Sequence, residues 1–168
     1  MRRLVVVVIM LLSGCGYHTP GSSTAWVGGD ARSVNIQLFV NQTGQPYLDN
    51  YMTDALVSEL SRSRFLTITE NPEMAELLLV GEVKHFNSYA ISYGSNDRIT
   101  DYRASMTIAA RLVRRGSSEV LWQEDLQRSE DYLATLDKNL QESGERLAAI
   151  QVAQRLAEDI NAHLINSF

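Results

Sequence analysis

Few side chains in this chain are of types that carry chemistry. Cys15 is the only cysteine, and the histidines are His18, His85 and His163. A metal site draws on His, Cys and carboxylates at short, fixed spacings. None of the three histidines has another His or a Cys at such a spacing. There is no His-Glu-x-x-His, no Gly-x-Ser-x-Gly and no glycine-rich phosphate loop. Asp54 and Glu59 share a helical segment and read as its solvated face. The residue types therefore assemble no nucleophile, acid–base pair or ligand set, and neither an enzyme nor a metal or cofactor is expected.

Cys15 stands in a telling context. Arg2 and Arg3 precede an unbroken apolar run over residues 4–12, followed by Ser13-Gly14-Cys15. A positive start, an apolar stretch and small residues before a cleavage point mark an export signal. Nine residues as a helix span about 14 Å, against a bilayer core of about 30 Å, so the run is too short to cross a membrane. Leu12-Ser13-Gly14-Cys15 resembles a lipobox. That resemblance implies cleavage before Cys15, a diacylglycerol on its thiol and a further acyl chain on its amine. The alternative is an ordinary thiol behind an export signal. A lone unmodified thiol is a liability in an oxidising compartment, which favours acylation. Two or more chains on one residue suffice for stable membrane attachment.

Residues 1–14 are thus a signal peptide, and residues 15–32 a lipidated cysteine with a flexible tether rich in Gly, Ser and Thr. Residues 33–168 form a single domain. Without Arg2 and Arg3 the chain holds 13 basic residues against 20 acidic ones, a net charge of −7. Bulk electrostatics then disfavour nucleic acid, and an anionic ligand needs a local basic cluster. Trp26 in the tether docks either on a partner or on its own domain.

The elements that would position such a cluster follow from periodicity. Residues 33–40 alternate, with Val34, Ile36 and Leu38 inward, as in a half-buried strand. Pro46 opens a helix over residues 47–62, with Leu48, Met52, Ala55, Leu56 and Leu60 on one stripe. A short strand over 65–69 and the Asn71-Pro72 turn come next. Residues 77–93 are rich in strand formers, with a polar loop at 94–98. Tyr102, Ala104, Met106, Ile108, Ala110 and Leu112 alternate along the following strand. The Arg115-Gly116 turn leads to a third strand, 119–127. A second helix is expected over about 142–166. This order gives an α+β two-layer sandwich, an antiparallel-dominated sheet with two helices packed on one face. Tyr89, Ile91, Tyr93 and Tyr102 flank the 94–98 loop, with Arg98 and Arg103 beside them. Such aromatics mark either an interface or ordinary cross-strand packing.

The ordered set of segments resembles the LptE family of lipopolysaccharide-assembly lipoproteins. The resemblance is carried by Cys15-Gly16-Tyr17-His18, by Thr53-Asp54-Ala55-Leu56-Val57-Ser58-Glu59-Leu60, by Gly81-Glu82-Val83, by Asp101-Tyr102 before Met106-Thr107-Ile108, by Glu119-Val120-Leu121-Trp122, and by the Ala-rich last helix. It implies a lipid-anchored protein on the periplasmic face of the outer membrane. Its partners would be the LptD β-barrel, which it plugs and helps assemble, and lipopolysaccharide itself. Gly16, where an aspartate would favour the inner membrane, agrees with that location. By position, the resemblance implies lipopolysaccharide contacts at Arg98 in the hairpin loop and at Lys138 before the last helix. The competing reading is another outer-membrane lipoprotein, a pilotin-like secretion accessory or an envelope scaffold.

Overall fold

The computed structural model describes residues 26–117 and 119–165. The expected signal peptide, Cys15 and His18 lie outside these residues. Among the described residues six strands and two α-helices follow in the order β1 (Ser33–Ile36), β2 (Val40–Asn41), α1 (Leu48–Leu60), β3 (Thr67–Ile68), β4 (Leu77–Tyr93), β5 (Ile99–Arg114), β6 (Val120–Leu133) and α2 (Lys138–Ile165). The strands form one sheet in the order β3-β1-β4-β5-β6, with β2 also on β4. The fold is α+β, and antiparallel pairing dominates through β4, β5 and β6. β1 joins β3 and β4 in parallel, with Val34 opposite both Ile68 and Leu77.

The helices cover one face. Leu77, Leu79, Val83, Met106, Ile108 and Leu112 of the sheet meet Leu48, Met52, Leu56 and Leu60 of α1 and Val152, Leu156, Ile160 and Leu164 of α2, all buried. This is the 3.6-residue period of the helices laid on the two-residue period of the strands. The seventeen residues of β4 extend over roughly 55 Å. α1 has 13 residues and α2 has 28, about 20 and 42 Å. Glu59 Oε1 accepts from Asn161 Nδ2 at 2.8 Å, and Tyr51 and Ile150 line the same cleft. α1 therefore accompanies only the C-terminal half of α2.

The strands mirror that division. β1 and β2 flank β4 only as far as Val83, where Gln42 N donates to its carbonyl at 3.0 Å. Beyond this point β4, β5 and β6 continue as a three-stranded ribbon beneath the first turns of α2. The molecule has a proximal end, with Trp26, the 61–66 loop, the Arg115 turn and the end of α2. The Gly94 turn and the β6–α2 connection form its distal end.

Three local expectations need correction. The first strand stops at Ile36; Leu38 is 59 % exposed, and Phe39 is buried at 2 % instead. Its ring lies over Gly81, where an added Cβ would collide with it, and its N–H donates to Thr53 Oγ1 at 3.1 Å. The second helix begins at Lys138, a turn early. Asp137 Oδ1 caps it by accepting from the N–H groups of Asn139 and Leu140 at 2.8 and 3.1 Å. Residues 26–32, expected in the tether, pack on the domain. Val27 N donates to Leu164 O at 3.0 Å, Trp26 Nε1 donates to Ala31 O at 3.0 Å, and Ala31 is buried.

Candidate interaction surface

The distal end gathers most of the residues singled out by sequence. Gly94 N donates to Arg98 O at 2.8 Å, closing the hairpin. Asn96 and Asp97 take left-handed backbone conformations inside it, which these two residue types tolerate. Arg98 emerges exposed at the start of β5. The β6–α2 connection reaches the same end, because Ala134 N donates to Thr100 O at 2.9 Å. Lys138, the first residue of α2, is 88 % exposed and 3.8 Å from Glu142. The fold brings Arg98 and Lys138 to one end of the molecule without joining them in a contact.

The aromatic group divides between two faces. Tyr89, Ile91 and Tyr93 alternate on the open face of β4 and are exposed. Tyr102 faces the helix layer and stacks on Tyr132, with ring centroids 5.6 Å apart. The Tyr132 hydroxyl is 2.7 Å from Ser88 Oγ and donates to Glu145 Oε2 at 3.3 Å. Burial pushes this phenol's pKa above its ordinary value. Gly144 leaves space for the Tyr132 ring, since a Cβ there would lie 3.1 Å from it.

Arg103 is already committed. Its Nε and one terminal nitrogen donate to the two carboxylate oxygens of Asp131 at 2.6 and 2.8 Å, across β5 and β6. These hydrogen bonds raise the pKa of Arg103 and lower that of Asp131. Arg103 is thus a cross-strand clamp, while Arg98 has no carboxylate within ion-pairing distance among the described residues.

Sequence reasoning missed the apolar component of this end. Leu133, Leu136, Leu140 and Leu147 are all more than half exposed. Leu140 and Leu147 stand seven apart, on one helix face, continuing the line of Ile150 and Gln154 that borders α1. Their spacing was the available signal, and the late start assigned to α2 left Leu140 outside the helix. Glu59, read as solvated, instead ties the two helices through Asn161, with Arg62 at 3.4 Å. Asp54 remains exposed. His85 is exposed; His163 sits 2.6 Å from Glu124 and edge-on to Trp122. Among the described residues no three potential metal ligands cluster.

What this end offers is a long, partly apolar ribbon with two outward cations. Comparison with known proteins adds a family. The sequence model of LptE, lipopolysaccharide-assembly, matches residues 31–164. No curated protein sequence matches. Among solved structures, the fold is similar to that of a Caulobacter crescentus protein, with a TM-score of 0.63, 13% identity, and coverage of 84% of this chain and 95% of that one. It is also similar to the PelC dodecamer subunit of Paraburkholderia phytofirmans, with a TM-score of 0.56, 15% identity and coverage of 86% and 92%. Rare lipoprotein B of Shewanella oneidensis follows at a TM-score of 0.51, 12% identity and coverage of 81% and 92%. At these identities the likeness concerns the fold alone.

Proposed function

The chain belongs to the LptE lipopolysaccharide-assembly family, and on that footing we propose that it is an outer-membrane lipoprotein that partners and plugs an LptD-type β-barrel. Cys15, acylated, would hold it on the periplasmic face, and it would contact lipopolysaccharide directly. It acts by binding, without a catalytic step.

The observation that carries this reading is the uncovered distal ribbon. Tyr89, Ile91, Tyr93, Leu133, Leu136 and Leu140 are exposed at one end of a narrow domain, and clustered apolar exposure marks a surface that another molecule covers. Much of the open sheet face elsewhere carries paired polar side chains, beside exposed Leu38 and Val40. Lys84 pairs with Asp125 at 2.9 Å, Arg103 pairs with Asp131, and Gln127 donates to Ser105. A polar face suits the water-lined interior of a barrel. Arg98 and Lys138 supply cations that can donate charge-assisted hydrogen bonds to glycolipid phosphates. The net acidity of the chain limits bulk attraction, so the contact is local and exchangeable.

The test is to isolate the tagged protein from detergent-solubilised outer membrane and identify what accompanies it by mass spectrometry. A stoichiometric barrel of the LptD kind supports the proposal. Its absence overturns it in favour of a secretion accessory or an envelope scaffold. Replacing both Arg98 and Lys138 with alanine separates the second part, because unchanged lipopolysaccharide binding would remove these two residues from the contact.

A further inference from the structure

The sheet has two long edges, and they are built differently. β6 is an edge along its whole length among the described residues. Its Glu124, Asp125, Arg128, Glu130 and Asp131 are each held by a partner side chain. Three of these pairs, Glu124 with His163, Arg128 with Asp159 and Glu130 with Arg155, run to α2. Charges along an edge strand deter a further strand, which would have to desolvate or match them.

The other long edge is the distal half of β4. Beyond Val83 neither β1 nor β2 flanks it. Residues 85–90 pair regularly with β5, between irregularities at Lys84 and Ile91, over roughly 20 Å. Alternate residues of this stretch turn their N–H and C=O groups away from β5. No strand meets those groups among the described residues. From His85 to Tyr93 there is no Asp, Glu, Lys, Arg, Gly or Pro. The charges, prolines and bulges with which edge strands refuse a partner are thus missing within 85–90. Both flanks are accessible as well. α2 lies chiefly over β5 and β6. His85, Asn87 and Tyr89 are exposed on the open face, and Phe86, Ser88 and Ala90 are only partly buried on the other.

We propose that a short extended segment of the barrel partner pairs with β4 over residues 85–90 and adds a fourth strand to the distal ribbon. This rests on the barrel partnership proposed above, which makes the barrel's own chain the polypeptide beside this edge. The geometry limits the occupant. The line beside β4 is filled up to Val83 by Asn41, and Gln42 N donates to the Val83 carbonyl. A second copy pairing antiparallel over the same residues would bring its Ser92 and Tyr93 opposite Val83 and Glu82, where β2 already lies. Pairing in parallel, its residues 77–83 would meet the same obstacle. Residues 16–25 of this chain carry Pro20 and Gly21 at their centre, which a paired strand disfavours. The occupant is therefore a brief strand of another chain, entering from the distal side. Its main chain supplies the bonds, and its alternate side chains, apolar where they flank Tyr89 on one face and Phe86 and Ala90 on the other, supply the selectivity.

The test places a benzophenone side chain in turn at His85, Asn87 and Tyr89 of the full-length chain in its outer membrane. After illumination the cross-linked sites are mapped by mass spectrometry. Strand pairing predicts one short stretch of the barrel chain, with the site moving by about two residues, always in one direction, at each step along β4. Scattered sites, or none while the barrel is recovered, overturn the pairing and leave the partnership standing. Cross-links to a second copy or to residues 16–25 overturn the choice of occupant. Failure to recover any barrel overturns both. Amide hydrogen exchange on the unsubstituted protein gives a second reading. Outward amides within 85–90 should exchange about ten-fold more slowly, or slower still, in the complex than in the isolated protein, and those on the outer edge of β6 should not. No slowing, or equal slowing along β6, overturns the pairing.

Discussion

The ring of Phe39 fills the position that a side chain on Gly81 would occupy. The two residues are 42 apart in sequence, and their contact seats the turn after β1 against β4. Phe39→Ala should cost about 3–5 kcal/mol of stability, as for other buried phenylalanines. Gly81→Val should cost about 1–3 kcal/mol by overpacking, because the Ala109 carbonyl lies only 2.7 Å from the added Cβ. Urea denaturation of Gly81→Ala in the wild-type and Phe39→Ala backgrounds checks the coupling. The glycine substitution should cost less once the ring is gone.

Tyr132→Phe removes the hydroxyl that meets Ser88 and Glu145. A loss of about 0.5–1.5 kcal/mol is expected. Burial raises the folded pKa of Tyr132 above its unfolded value, so its contribution is intact below the unfolded value and is lost as the pH climbs through the raised one. Wild-type stability should therefore fall in the alkaline range above about pH 10, and Tyr132→Phe should fall less steeply. Denaturation midpoints measured across that range decide the point.

The Arg103–Asp131 clamp behaves in the opposite sense. Its hydrogen bonds lower the folded pKa of Asp131. The stabilisation is therefore present above the ordinary aspartate value of about 3.9 and disappears as the pH falls through the lowered one. Asp131→Asn should be less stable than wild type at neutral pH, by a small margin because the pair is solvated. The two proteins should converge below pH 4 or so, as thermal melts would show. Arg103→Ala should leave lipopolysaccharide affinity unchanged.

Arg98→Ala/Lys138→Ala should weaken lipopolysaccharide binding about ten-fold with little change in folding. Tyr89→Ser, Tyr93→Ser and Leu133→Ser should each leave stability within about 0.5 kcal/mol, yet reduce recovery of the barrel in co-purification. Full recovery with all three replaced would place the barrel contact elsewhere on the domain.

The architecture was legible wherever one residue period ran uninterrupted. The alternation from Tyr102 to Leu112 and the stripe from Leu48 to Leu60 became β5 and α1 with their predicted faces inward. Errors arose where a tertiary contact overrode the period. Leu38 and Phe39 exchanged roles because the Phe39 ring fills the space that Gly81 leaves open. Gly144 lowered the helical signal of its segment, whereas the space its missing side chain leaves for Tyr132 explains the residue. Of the candidate residues, the shared end for Arg98 and Lys138 was foreseeable from hairpin length. The commitment of Arg103 to Asp131 was not, since it depends on the register of β6 against β5.

The parallel pairing of β1 with β4 sets an order of assembly. Val34 must wait for Leu77, 43 residues further on, whereas β4, β5 and β6 join through short turns. Contacts local in sequence close with less entropy lost than distant ones. The meander with α2 should therefore form the folding nucleus, with β1 and α1 arriving afterwards. Substitutions at Leu79 and Met106 should slow folding, while Val34→Ala should mainly hasten unfolding in stopped-flow measurements. A chain made from its N-terminus thus exposes the apolar residues of β1 and α1 well before the sheet that shelters them exists, so this first third of the domain should be the part most dependent on being held unfolded until the rest arrives.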